Sequence, residues 1–305
     1  MQATRLRLIE VPYDSGHRDI RMGAGPLTLA HAGAAALLRE HGHVVEEQVV
    51  EAASGWPTEI ATAFELQRLV AREARSAREA GQVPLLLAGN CNTTLGLLAA
   101  APEQTGPEQA ARTARTARTG LIWLDAHGDF NTPDTTVSGF LDGQALAMAV
   151  GRCWPTQLAG LPGFAPLAEQ DVILLGARSF DEQEEAALRA SAITWLTPDQ
   201  ARDEDRMTAA LADLAARVDS VHLHIDLDVF DPSIAPANGY AAQGGLFERD
   251  VCRILRQIAD RLPITSAALA AYDPAYDPCR RIRETALCLL VHVAAHLRTT
   301  TAPAP

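Results

Sequence analysis

Short, almost wholly apolar runs recur along the chain: Val83–Leu87, Leu121–Leu124, Val172–Leu175, Val221–Ile225 and Ile264–Ala270. Runs this brief, without polar alternation, predict strands covered on both faces, as in parallel sheets packed between helices. Thr4–Val11 reads as a first strand and Val44–Val50 as another short one. Between the runs lie stretches of helical period: Leu27–Glu40, Glu59–Glu79, Glu182–Ala190, Asp199–Val218, Glu248–Leu262 and Ile282–Leu297. The second of these carries an apolar stripe of Ile60, Ala63, Phe64, Val70, Ala71 and Ala74, interrupted at Gln67. Thr58 is placed to cap it and Gly81 to end it. Strand–helix alternation over the whole length predicts one parallel sheet with helices on both faces. Ligands in such folds gather at the carboxyl ends of the strands.

Two segments stand outside this pattern. Ala111–Thr119 is a three-residue Ala-Arg-Thr type repeat, read as a solvated loop or helix end rather than a basic partner-binding patch. Thr299–Pro305 reads as a disordered tail. No linker divides the remainder, so residues 1–298 are expected to form one domain.

Composition narrows the classes of function. With 305 residues and 48% hydrophobic content the chain can bury a sizeable core. A formal net charge of -12 argues against nucleic acid and anionic membranes as partners. No apolar run reaches the length of a membrane span, and the stretch from Met1 to Arg5 shows no signal peptide. The five cysteines, Cys91, Cys153, Cys252, Cys279 and Cys288, are odd in number and unpatterned, which predicts a reducing, cytoplasmic setting without a disulfide framework. All but Cys91 read as bystanders.

Chemistry concentrates in two places. Asp125-Ala126-His127-Gly128-Asp129 follows Leu121–Leu124 directly. If strand alternation continued, Asp125, His127 and Asp129 would project together from the end of a buried strand. Asp226-Leu227-Asp228 follows His222-Leu223-His224-Ile225 in the same way, His222 and His224 being read as structural. Oxygen donors with one nitrogen suit Mn²⁺ or a related divalent ion, and two such clusters suggest a two-metal hydrolytic centre.

Asp125–Pro133 resembles the first signature of the arginase/ureohydrolase family. Asp226–Ser233, with Pro236-Ala237 and Gly244-Gly245-Leu246 after it, resembles the second. Gly23-Ala24-Gly25-Pro26 is similar to the family's N-terminal glycine–proline element in weakened form. The resemblance runs from about Leu8 to the last helix. It implies a three-layer αβα fold with a mostly parallel sheet of roughly eight strands. It also implies a pair of Mn²⁺ ions, hydrolysis at a guanidino-type carbon, and a homo-oligomer, a trimer or hexamer. By position the metal ligands would be Cys91, Asp125, His127, Asp129, Asp226 and Asp228, with Asp125 and Asp226 bridging. Two close cations lower the pKa of a shared water, and Asp129 would accept its hydrogen bond and aim it.

Substrate contacts carry over in the same way. Asn131 and Ser138 match positions that bind an α-carboxylate, and Asp181 one that binds an α-amino group. Glu184 follows at the spacing seen in arginases. Together they point to an amino-acid substrate. Asp181 reads equally as a helix cap.

Three positions depart from the family pattern. Cys91, within Ala88-Gly89-Asn90-Cys91-Asn92, fills the place of a metal-binding histidine. A soft thiolate there would bias the site toward Zn²⁺ or Fe²⁺. The hydroxyarginine amidinohydrolase branch of the family is similar in having this cysteine. Asp142 stands where arginases carry a proton-shuttling histidine, and an ordinary aspartate is a poor acid at neutral pH. Ala271-Tyr272-Asp273-Pro274 lacks the guanidinium-binding glutamate at its first position. Asp142 is therefore expected either to shuttle the proton or to supply the anion that Ala271 lacks. Tyr240 is expected to narrow the pocket. An N-hydroxyguanidine, being less basic, suits these departures as an alternative substrate. A non-catalytic metal-binding or regulatory member is a reading of another class. A deacetylase on the related fold fits less well, since its site uses a histidine pair.

Overall fold

The computed structural model describes residues 4–53, 58–101 and 118–299. Eight strands form one sheet: β1 (Arg5–Val11), β2 (Val44–Val49), β3 (Val83–Ala88), β4 (Thr119–Leu124), β5 (Val172–Leu175), β6 (Thr194–Leu196), β7 (Ser220–Asp226) and β8 (Ile264–Ala270). Their spatial order is β2-β1-β3-β8-β7-β4-β5-β6, and every neighbouring pair is parallel. All residues of β3, β7 and β8 are buried, as unalternating apolar runs require. β2 lies at an edge and exposes Val44 together with Glu46, Glu47 and Gln48, charges that discourage pairing with another chain.

Helices cover both faces, as expected, but two predicted ones are each divided. Leu27–Glu40 is Gly25–His31 followed by Ala34–Glu40, parted where Gly33 takes a φ of 95°. Asp199–Val218 is Pro198–Arg202 followed by Glu204–Ala215. Asp203 interrupts it with an extended ψ, its side chain accepting from the N–H groups of Asp205 and Arg206. Glu59–Glu79 holds as one helix, capped by Thr58, whose Oγ1 accepts from Ala61 N–H at 3.3 Å. No described helix is long and apolar enough to cross a membrane. Residues 111–117 of the repeat and residues 300–305 of the tail lie outside the described residues; Thr119 opens β4.

β3, β8, β7 and β4 sit side by side at the sheet's centre. Their carboxyl ends lead into the turn Cys91–Thr94, Ala271, the turn Leu227–Val229 and the loop Asp125–Asp129. The chain builds outward in both directions from this region, the arrangement that opens a crevice at strand ends.

Candidate metal centre

Asp125 stands one residue past β4, and Trp123, Asp226 and His224 fix its surroundings. Its N–H donates to Leu175 O at 3.1 Å, while its Oδ2 accepts from Trp123 Nε1 at 3.0 Å and its Oδ1 from His127 N–H at 2.8 Å. Alternation along a strand does not bring the three side chains together, because β4 ends at Leu124. The loop does so by turning, and Asp129 takes a φ of 49° to complete the turn. Asp226 is the last residue of β7, and its Oδ1 accepts the N–H of Asp228 at 2.7 Å. Asp228 in turn accepts Ala126 N–H at 3.1 Å and Asn238 Nδ2 at 3.2 Å. The two motifs are thus tied to each other by the bond from Ala126 N–H to the Asp228 carboxylate.

The predicted ligands converge. His127 Nδ1 lies 3.4 Å from Asp125 Oδ1 and 3.3 Å from Asp228 Oδ2. Cys91 Sγ lies 3.0 Å from Asp226 Oδ2. Potential ligand atoms of Asp125, His127 and Asp228 fall within 4.8 Å of one another, and so do those of Cys91, Asp125 and His224. Asp125 is common to both groups, as a bridging carboxylate should be.

Electrostatics show what the cluster lacks. Burial first, then mutual repulsion, push the carboxyls of Asp125, Asp129 and Asp226 above their ordinary range. Burial pushes Asp228 the same way. The charge of His127, with bonds from His127, Ala126 and Asn238, outweighs it and holds Asp228 below the usual value. Burial lowers His127, but Asp228 and Asp125 carry it up to about 12. Cys91 is pushed up by burial and by the charges of Asp226, Asp142, Asp129 and Asp125. Asp129 Oδ2 is buried without a hydrogen-bond partner. Buried carboxylates this crowded call for cations, and the mixed oxygen, nitrogen and sulfur donors fit divalent metals.

His224 is the residue that the sequence reading took for structural. His222 does play that part, its Nδ1 bonded to Ser266 Oγ at 2.8 Å. His224 pairs with Trp123 in the register of β7 and β4, and the two rings stack at 3.7 Å. Its Nδ1 lies 2.9 Å from Thr94 Oγ1, while its Nε2 is buried with no partner. The available signal was position: His224 precedes Asp226 by two, as Trp123 precedes Asp125.

A cleft of about 400 Å³ opens over the centre, walled by Asp129, Asn131, Ser138, Asp181 and Tyr240 among others. Asn131 Nδ2 donates to Asp181 Oδ2 at 3.1 Å, and Ser138 stands exposed at the rim. Tyr240 stacks on Phe140 at 5.6 Å and forms part of the wall. Glu184 is buried and also lines the cleft. It accepts Phe130 N–H at 2.8 Å and Asp181 N–H at 3.2 Å, the latter closing a capping box at Glu182–Arg189. Glu184 thus supports the binding loop with one bond to each oxygen and keeps a further lone pair on each.

Asp142 lines the cleft, and its carboxylate is engaged by the neighbouring turn. Its Oδ1 accepts Asn92 N–H at 2.7 Å and Asn92 Nδ2 at 2.9 Å. Its Oδ2 accepts Cys91 N–H at 2.9 Å and Asn90 Nδ2 at 3.0 Å. With four donors on two oxygens, the carboxylate holds the Asn90–Asn92 turn and has no free lone pair for a cationic substrate head. Burial pushes it up to about 7 against those bonds.

Comparison with known proteins agrees with this geometry. Over 302 residues the chain is 29% identical to an arginase from Bacillus caldovelox, covering 93% of this chain and 96% of that protein. The solved arginase structure from Bacillus subtilis superposes with a TM-score of 0.82 at 27% identity, covering 95% of this chain and 98% of that one. Formimidoylglutamase from Bacillus subtilis shares the fold, with a TM-score of 0.70 at 18% identity over 100% of this chain and 89% of that one. The arginase family model matches residues 4–297, and the chain belongs to the arginase family, whose members hydrolyse C–N bonds in linear amidines.

Proposed function

We propose that the chain hydrolyses a guanidino or amidino amino acid at a two-metal centre, releasing urea or a urea analogue and an amine. The observation that carries this reading is Asp125, shared by two ligand groups whose members Cys91, His127 and Asp228 line the cleft. Cys91, Asp125, His127, Asp226 and Asp228 would hold two divalent cations there, which would supply hydroxide from water near neutral pH and Lewis-acid polarisation of the substrate. Asp129, with its unpartnered Oδ2, accepts the proton of that water and orients it. Asn131, Asp181 and Ser138 on the cleft wall receive the α-carboxylate and α-amino group. His127, Asp125 and Asp228 make one ligand group. Cys91 and His224 give the other sulfur and nitrogen donors, which favours Zn²⁺ or Fe²⁺ there over Mn²⁺. The imidazole of His224 stands in for the one that Cys91 displaces.

A second reading within the same chemistry names N-hydroxyarginine as the substrate. It rests on Asp142 being fully occupied and on Ala271 carrying no carboxylate. A guanidinium then meets no free anion at either position, and a basic leaving amine finds no imidazole acid at residue 142. A less basic N-hydroxyguanidine needs neither. The test is kcat/KM on arginine, N-hydroxyarginine and agmatine, with urea or hydroxyurea measured as product. At least a tenfold preference for N-hydroxyarginine is expected. A preference for arginine removes the second reading, and no turnover on any guanidine with fewer than two metals per chain removes both in favour of a non-catalytic member.

A further inference from the structure

We infer that the chain carries a second metal site, separate from the cleft, in which Glu248, Cys252, Cys288 and His292 bind one zinc ion between two helices. Glu248 and Cys252 stand four residues apart on helix Glu248–Ala259, and Cys288 and His292 four apart on helix Arg281–His296. Residues four apart share a helix face. The two helices pack against each other. Ligand atoms of Glu248, Cys252 and His292 lie within 4.8 Å of one another. Cys288 Sγ lies 3.0 Å from Glu248 Oε1, a member of that group, and supplies the fourth donor. Glu248, Cys252 and His292 line one surface groove, so an ion can enter from solvent.

The donor set decides the metal. Two sulfurs, one imidazole nitrogen and one carboxylate oxygen make a four-donor set suited to tetrahedral Zn²⁺ and poor for the hard cations Mn²⁺ and Mg²⁺. Binding displaces the protons of the Cys252 and Cys288 thiols to solvent and leaves both sulfurs as thiolates. Burial and the charge of Glu248 raise the Cys252 thiol, and Arg256, one turn beyond it on the groove wall, works against that rise. Both cysteines are free thiols in the structure. The ion would clamp the last helix to its neighbour, far in sequence from the Asp125 loop, which gives it a structural role with all four positions closed by protein.

The test compares wild-type protein with the Cys252→Ser/His292→Ala double variant, each loaded with manganese and then dialysed against buffered zinc. The wild-type chain is expected to retain one zinc more than the variant, to melt at higher temperature with zinc than without, and to keep its hydrolytic activity in both forms. Equal zinc content in the two proteins overturns the inference. Should the variant fail to fold, mass mapping of alkylated wild-type protein replaces it. Zinc is expected to slow modification of Cys252 and Cys288 at least tenfold while leaving exposed Cys279 reactive. Unprotected thiols, or a Cys252–Cys288 disulfide in place of metal, overturn it as well.

Discussion

At the scale of single residues, the centre is defined by an exchange of donors. Cys91 takes the place where the family pattern has an imidazole, and His224 brings an imidazole within 4.8 Å of its sulfur from β7, two strands from β3. Its side chain is completely buried, stacked on Trp123 and steadied by Thr94, so little conformational freedom is lost on binding. His224→Ser is therefore expected to weaken one of the two metal sites by roughly ten- to a hundredfold, the range typical when a supporting or ligating group is lost. The other site should be unchanged. Titration of metal-free protein in the Cys252→Ser/His292→Ala background with cobalt against a competing chelator reads both affinities, and the sulfur-to-cobalt absorption reports the Cys91 side. Affinities within twofold of wild type and an unaltered spectrum would show that His224 serves packing alone. A wild-type chain that binds no second ion would instead undo the two-metal reading itself.

At the scale of elements, legibility followed length and burial. The unalternating runs at β3, β4, β5, β7 and β8 were read correctly because strands buried on both faces have no reason to alternate. β6 has three residues, too few to carry a period, and it was missed. Gly33 and Asp203 divided two helices that periodicity alone runs together. The loops that carry the candidate ligands are legible from motif wording, but strand alternation is not what brings their side chains together. A loop with Asp129 in left-handed conformation does what strand alternation was expected to do. Asp142 could not be placed from sequence, since its partners lie about fifty residues away on another turn. The glycines beside that turn show how tightly it is held. A Cβ on Gly89 would stand 2.3 Å from Tyr13 O and 2.8 Å from Gly23 Cα, both backbone atoms. Gly89→Ala must then part β3 from the segment after β1, at a cost of roughly 1–3 kcal/mol. The expected result is a lower melting temperature together with weaker metal binding on the Cys91 side. A melt identical to wild type would mean that the contact relaxes without strain.

At the scale of the whole molecule, the sheet keeps its two faces apolar and gathers buried charge at one end. Cys91, Asp125 and Asp226 lie there at the centre, and Glu10 lies near the same end of β1. The proposed cations would offset the first three; among the described residues no cation is paired with Glu10. It is 2% exposed, and its Oε1 has no hydrogen-bond partner. Burial, and then the charge of Glu47, push its carboxyl from 4.5 up to about 7. In the unfolded chain the group loses its proton near 4.5, whereas the folded chain keeps it to about 7. Between those values the folded state binds more protons, so stability falls as pH rises and then levels off. Glu10→Gln removes this dependence while preserving shape. The variant should match wild type near pH 4.5 and exceed it by roughly 1–3 kcal/mol at pH 8, the upper end being the full shift converted at 1.36 kcal/mol per unit. Urea denaturation of both proteins across that range measures the difference. A stability gap that does not change with pH would show that Glu10 ionises as freely in the folded chain as in the unfolded one, and that the sheet's end tolerates charge without a counterion.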